Sequence, residues 1–313
     1  MDKIDKKVLL SLDKDPRVSF NKIGKFARIS KEVAQYRFKQ LVKKNILTGF
    51  FAFINTSKLG YDTYKLLIKY RSVDNNAYKK ISEYLLNNKI VAWAGDSEGA
   101  WDLILTIVVS SKKEFNRFYL DFFTKFGTYF KEKELLIPIE NLIFNDKYLS
   151  EGKLIYTKTL SFDLLHNAID KTDLNILYEL SINSRATFTE IGGKLNLSYW
   201  AIAQRYKKLV EKEYIICLKP RINFRKLGYS YYHLFIELNN EIIKQKIGAY
   251  YTQHADCIMI MSHLGKYSMH LEFVLDRREI KNIIMDLREH FGQEILSYEL
   301  LLITEEHMMN LLR

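Results

Sequence analysis

The segment Arg37–Tyr61 reads RFKQLVKKNILTGFFAFINTSKLGY, and Arg205–Tyr229 reads RYKKLVEKEYIICLKPRINFRKLGY. The two are displaced by 168 positions and share 11 of 25 residues. Unrelated segments would share about one or two. The likeness runs further outward. Asp5–Leu12 corresponds to Asp173–Leu180, Arg17, Phe20, Ile23 and Gly24 correspond to Arg185, Phe188, Ile191 and Gly192, and Ser30 corresponds to Ser198. One structural unit is written twice in this chain of 313 residues.

The first copy has a physical reading. Ile4, Val8 and Leu12 are four apart and line one face of a helix. Pro16 ends it. Ser19 can cap a short second helix carrying Phe20, Ile23 and Phe26, and Ser30 can cap a third. Ala34, Phe38 and Leu41 make the buried stripe of that third helix, and Lys31, Gln35, Tyr36 and Lys39 make its outer face. Ile46–Ile54 reads as extended. Three short helices and a strand form a winged helix-turn-helix, whose third helix is the element that enters a DNA major groove. The plainer reading is a helical bundle with a solvated basic face. Charge separates the two: residues 1–49 hold 13 Lys/Arg against 5 Asp/Glu, a net +8 within a chain total of +11. Phosphate binding requires that concentration.

Each such unit is followed by a βαββαβ pattern. In copy one the strands are Tyr64–Arg71, Ile90–Gly95, Trp101–Val109 and Glu134–Phe144, with helices at Ala77–Asn88 and Lys112–Phe130. Copy two repeats the order through Tyr231–Leu238, Asn240–His254, Cys257–Leu275, Arg277–Phe291 and Ile295–Ile303, and a short helix is expected at Glu305–Leu312. This is the split ferredoxin-like motif. The fold class is α+β: two tandem copies of winged helix-turn-helix plus ferredoxin-like domain. The expected boundaries are 1–55, 60–147, a linker at 148–169, 170–223 and 228–313. Leu160, Phe162, Leu164 and Leu165 suggest that part of the linker is packed.

A hydrophobic fraction of 48% with 13 Gly and 3 Pro favours regular, well-cored structure. A pI near 9.3 favours an acidic partner, nucleic acid or a membrane surface. No apolar run is long enough to span a bilayer, and the opening MDKIDKKVLL does not read as a signal peptide. Cys217 and Cys257 form neither a disulfide framework nor a zinc motif, which fits a reducing cytoplasm. There is no glycine-rich phosphate loop, nucleophile elbow or metal-ligand spacing. The expectation is no cofactor, no metal and no catalysis.

The residues quoted above resemble the leucine-responsive regulator/AsnC (Lrp/AsnC) family of prokaryotic transcription regulators. The marks are Asp5, Arg17, Ser30, Arg37 and Leu59–Gly60, with Asp173, Arg185, Ser198, Arg205 and Leu227–Gly228 in copy two. The resemblance implies double-stranded DNA as partner, ferredoxin-like domains that pack face to face, and control by small ligands, often amino acids, near those interfaces. The two copies would form a pseudo-dimer within the chain, or a homo-oligomer between chains. DNA contacts are expected from Ser30, Lys31, Gln35, Tyr36, Arg37 and Lys39, and from Tyr199, Gln204, Arg205, Lys207 and Lys208. Gln35 and Tyr36 suit base edges, and Lys31, Arg37 and Lys39 suit phosphates. Arg37 has a second reading as a bridge between helices.

The family's hairpin turn reads Gly-Asp-aromatic-Asp. Here it reads Gly99-Ala100-Trp101-Asp102 and Gly265-Lys266-Tyr267-Ser268, with the offset slipped to 166. The effector candidates are Asp96, Gly99, Trp101, Asp102, Gly265 and Tyr267, against a purely structural turn. Two other functions compete. Fused tandem proteins of this architecture also occur as siroheme decarboxylases of haem biosynthesis, but the turn lacks their Trp-Pro-Tyr-Asn-like segment. The histidines (166, 233, 254, 263, 270, 290, 307) read as scattered, with His263 and His270 the pair to test. The third reading is an interaction protein with a degenerate second DNA unit. Residues 170–219 carry only 8 Lys/Arg against 6 Asp/Glu, a net +2, and Tyr199 and Trp200 stand where copy one has Lys31 and Glu32.

Overall fold

A computed structural model describes residues 1–163, 169–309 and 312. Copy one opens with α1 (Lys3–Lys14), α2 (Phe20–Ala27) and α3 (Lys31–Lys43). Each starts at a polar cap: the Asp2 carboxylate accepts from the Ile4 and Asp5 amides, Ser19 from Lys22, and Ser30 from Val33. The turn between α2 and α3 is tight. Arg28 takes the left-handed conformation at φ 61°, and a Cβ on Gly24 would lie 2.8 Å from the Ile29 carbonyl oxygen. Then follow β1 (Leu47–Ile54), β2 (Asp62–Tyr70), α4 (Asn75–Asn87), β3 (Val91–Glu98), β4 (Leu103–Val109), α5 (Lys112–Phe126) and β5 (Phe130–Phe144). A 3-10 turn at Lys147–Leu149 and β6 (Thr157–Ser161) lie between the copies. Copy two comprises α6 (Lys171–Ile182), α7 (Phe188–Leu195), α8 (Tyr199–Glu211), β7 (Ile215–Ile222), β8 (Ser230–Leu238), α9 (Lys244–Gln253), β9 (Cys257–Leu264), β10 (Met269–Leu275), α10 (Ile280–Phe291) and β11 (Ile295–Met309).

The two ferredoxin-like units form one closed barrel rather than two sheets packed face to face. The strand order is β2-β4-β3-β11-β8-β10-β9-β5, and β5 returns to β2. β5 and β11 close it because each has 15 residues and serves two partners. The first half of β5 pairs with its own β2 (Lys65↔Leu136), and its second half pairs with β9 of the other copy (Asn141↔Met261). β11 does the reciprocal, pairing β8 through Leu300↔Leu234 and β3 through Glu306↔Gly95. Closure leaves no long open edge. Inside, Leu67, Trp93, Trp101, Phe235, Tyr267 and Leu301 pack together. The outer faces are covered by α4 and α5 on copy one, through Ile81, Phe118 and Phe122, and by α9 and α10 on copy two, through Ile247, Tyr251 and Leu287.

One sequence expectation changes here, and one is met. The helix expected at 305–312 is absent over 305–309, where β11 continues against β3 of the other copy. The linker is partly sheet: β6 pairs with β5, Leu160 is buried, and Phe162 packs against the same cluster of Met259 and Met261. Leu164, Leu165 and His166 lie outside the described residues. The wings differ from independent hairpins as well. β1 and β7 pair antiparallel with each other (Ala52↔Leu218), so one two-stranded sheet joins both helix-turn-helix units. Among the described residues no helix is long and apolar enough to cross a membrane.

Candidate nucleic-acid interface and the barrel cavity

The two helix-turn-helix units are locked by reciprocal arginines. Arg17 donates to the carbonyls of Ser184 (3.0 Å) and Ala186 (2.6 Å), and Arg185 donates to those of Pro16 and Val18. Each guanidinium also lies over an aromatic ring of the opposite copy, Arg17 4.2 Å from Phe188 and Arg185 5.3 Å from Phe20. Residue i meets j and j's equivalent meets i's, which is the signature of a two-fold interface, here within one chain. Burial holds both guanidinium pKa values below their usual range.

On this frame α3 presents Lys31, Gln35, Tyr36 and Lys39 as exposed side chains, with Tyr36 60% exposed. Lys31 and Lys39 make no salt bridge among the described residues. Ser30 is the N-cap of α3, its hydroxyl used by Val33. Arg37 makes the contacts of its second reading, a bridge between helices. Its Nη1 donates to Asp2 (2.6 Å) and Asp5 (3.2 Å), so it ties α3 to the start of α1. Arg205 does the same in copy two, with Asp170 (2.6 Å) and Asp173 (2.8 Å). On α8, Gln204, Lys207 and Lys208 are exposed, and Lys207 lies 3.6 Å from Glu211. Tyr199 packs its ring against Phe188 and Trp200, and Trp200 is 75% exposed.

The six effector candidates are built into the barrel seam. A Cβ on Gly99 (φ +141°) would meet the Leu300 carbonyl oxygen at 2.7 Å, and one on Gly265 (φ +127°) would meet Leu136 Cδ2 at 2.8 Å. Each turn thus presses on the long closing strand of the other copy. Trp101 and Tyr267 are both buried, and the indole Nε1 donates to the Tyr267 hydroxyl at 3.3 Å. The Asp102 carboxylate accepts from Lys69 Nζ (3.0 Å) and the Tyr70 amide (2.6 Å). Asp96 accepts from His307 Nε2 at 2.7 Å and from the Tyr78 hydroxyl, and that hydrogen bond raises the His307 pKa. The Asp96 and Asp102 carboxylates are thus already paired within the fold.

The open space lies elsewhere. A cavity of about 150 Å³ sits between the wing sheet and the barrel. Phe51 and Phe53 of β1 and Arg221 of β7 form its roof, and Lys65, Trp93, His233 and Glu272 are on the barrel side. Beside it Lys219 Nζ is buried between Asp13 Oδ1 (2.5 Å) and Asp146 Oδ1 (2.8 Å). Burial works against the Lys219 charge, but the two carboxylates outweigh it and raise its pKa. Burial pushes Asp13 up to about 6. The histidines are not scattered as expected. His233, His263 and His270 converge inside the barrel, all buried. The available signal was His270 and Glu272, two apart in a strand and so on one face, but their partner His233 is 37 residues away in sequence from His270.

Residues 169–210 match the AsnC-type helix-turn-helix domain, and residues 1–48 match a winged helix-turn-helix DNA-binding domain. The chain thus carries an AsnC-type helix-turn-helix domain and resembles regulators of the Lrp/AsnC family. An uncharacterized HTH-type transcriptional regulator of Pyrococcus furiosus is 29% identical over 121 residues, which is 39% of this chain and 80% of that protein. The regulator LrpA of Pyrococcus horikoshii is 48% identical over 62 residues, 20% of this chain and 44% of its own length. The match to the Pyrococcus furiosus protein spans most of that relative but well under half of this chain, as the duplication requires. Over the whole length the fold is similar to the crystal structure of the siroheme decarboxylase NirDL (TM-score 0.63, 16% identity, 100% of this chain and 93% of that one). At that identity the likeness concerns architecture alone.

Proposed function

We propose that this protein is a sequence-specific transcription regulator that reads double-stranded DNA with an unequal pair of recognition helices. The observation that carries the reading is the outer face of α3, where Lys31, Gln35, Tyr36 and Lys39 are exposed together on the more basic copy. Lys31 and Lys39 meet phosphates, and Gln35 and Tyr36 reach base edges. Copy two adds a weaker half-site through Gln204, Lys207 and Lys208, or docks a protein on Tyr199 and Trp200. The test compares two variants, Lys31→Ala/Lys39→Ala and Lys207→Ala/Lys208→Ala, with DNA affinity measured across a salt series. Each lost phosphate contact removes about 0.9 from the slope. The first variant should lose nearly two units of slope and the second clearly less. Equal losses would sink the asymmetry, and no loss in either would sink DNA binding through these helices.

A second reading, tetrapyrrole chemistry, draws on the shared tandem architecture and on the cavity below the wing sheet. The cavity weighs against it. Its volume of about 150 Å³ is well below the roughly 300–1,000 Å³ of pockets for drug-sized ligands, and a tetrapyrrole is larger than such ligands. The Lys219 ammonium near it is already held by two carboxylates. We therefore assign no catalysis. Added siroheme should show no Soret shift; a saturable shift would restore the enzymatic reading.

A further inference from the structure

Inside the barrel, β8 and β10 are paired in register with Glu272 opposite His233. His270 and Glu272 are two apart on β10 and face the same way. His233 Nε2 lies 3.5 Å and His270 Nε2 3.8 Å from the same oxygen, Glu272 Oε1. The three residues are at most 4% exposed. Neither Nε2 atom has a hydrogen-bond partner. Leaving such groups unmet when buried is costly, and buried polar groups in native folds are almost always satisfied. Two orphaned imidazole nitrogens aimed at one carboxylate oxygen point to something that accepts all three as ligands.

We propose that His233 Nε2, His270 Nε2 and Glu272 Oε1 bind a divalent first-row transition ion of the zinc or iron(II) class. Metal–ligand bonds of about 2.0–2.1 Å at tetrahedral angles place donor atoms about 3.4 Å apart, close to the 3.5 and 3.8 Å observed. Two imidazoles and one carboxylate are a donor set suited to that class. The carboxylate has its outer partner, while His233 Nδ1 has none among the described residues. Tyr231 donates its hydroxyl to Glu272 Oε2, which fixes the carboxylate and leaves Oε1 for the ion. The His270 ring is stacked 4.1 Å from Phe235, and Lys65 Nζ lies 3.1 Å from His270 Nδ1; an ion on Nε2 leaves the ring proton on Nδ1, so Lys65 would have to accept it as a neutral amine. His233 and Glu272 also line the cavity, so the remaining coordination positions open into it. The site is one-sided. The strand pairing that sets Glu272 against His233 sets Thr106 against Lys65 in copy one, which has no such donors. A second group, Asp96, Glu305 and His307, is exposed in part and already joined by the 2.7 Å His307–Asp96 contact, so it serves as the control.

The inference does not depend on DNA binding. The full chain is stripped with a chelator and titrated with Co²⁺ alone and then Zn²⁺ alone. The expected result is one equivalent of Co²⁺ with visible d–d bands, displaced by Zn²⁺, and a melting temperature raised by Zn²⁺. His233→Gln and Glu272→Gln should each weaken binding at least ~100-fold, beyond the 10–100-fold of outer-shell losses. Asp96→Asn/His307→Gln should bind one equivalent as before. The metal-free melting curve of each variant establishes that it is folded, and His270→Gln replaces any that is not. Failure of the unaltered chain to bind either ion stoichiometrically would overturn the proposal. Binding that survives His233→Gln and Glu272→Gln, or that disappears in the Asp96/His307 control, would overturn it equally.

Discussion

At the scale of single residues, the one arginine and the lysines of α3 look alike in sequence and differ in use. Lys39 is exposed and makes no salt bridge among the described residues, whereas Arg37 spends its guanidinium on Asp2 and Asp5. Lys39→Ala should therefore weaken binding to all DNA sequences alike and flatten the salt slope by about one unit, with melting unchanged. Arg37→Ala should do the opposite. It should cost roughly 0.2–1 kcal/mol in chemical denaturation, the range for part-exposed ion pairs, and leave the slope nearly intact. Asp13 supplies a pH signature. Its folded pKa of about 6 lies above the unfolded value near 3.8, so the folded state holds a proton that the unfolded chain has released. Stability from this group is thus full at low pH and lost as pH rises from about 4 toward about 6. Comparing pH-dependent unfolding of the parent with Asp13→Asn checks it: the variant should lack that downward slope, and parallel curves would refute the assignment.

At the scale of elements, the helix-turn-helix turn depends on one glycine per copy, and α7 allows a controlled comparison. A Cβ on Gly192 would lie 2.4 Å from the Leu197 carbonyl oxygen, while one on Gly193 would meet nothing within 4 Å. Gly192→Ala should cost about 1–3 kcal/mol by overpacking. Gly193→Ala, in an exposed helical position, should be neutral or stabilising by up to about 1 kcal/mol from helix propensity. Thermal melts of the two variants decide this, and equal effects would mean the turn has room to relax. The elements themselves were largely legible. Caps at Ser19, Ser30 and its counterpart Ser198 and the four-residue spacing of Ile4, Val8 and Leu12 are local signals, and local signals place helices. The error at 305–309 arose because the partner of that segment is β3, some 210 residues away.

At the scale of the whole molecule, the closed barrel and shared wing sheet make the two copies interdependent. A chain opened between residues 163 and 169 should give halves that co-purify one to one and refold together, since each alone would expose the Trp101–Tyr267 core. Size-exclusion chromatography with light scattering measures this, and a well-folded monomeric half would contradict it. The sequence by itself determined the duplication, the fold class, the three-helix units and the basic face of α3, because repeats, periodicity, caps and charge are carried by neighbouring residues. The tertiary structure alone decided the rest. It tied Arg37 and Arg205 to the starts of α1 and α6, packed Trp101 and Tyr267 into the seam between the copies, closed two sheets into one barrel, and gathered His233, His270 and Glu272 onto one buried point. Each of those outcomes depends on which strand of one copy lies beside which strand of the other. Long-range pairing of that kind leaves no mark in local spacing, since the residues it joins are selected by a surface that exists only after folding.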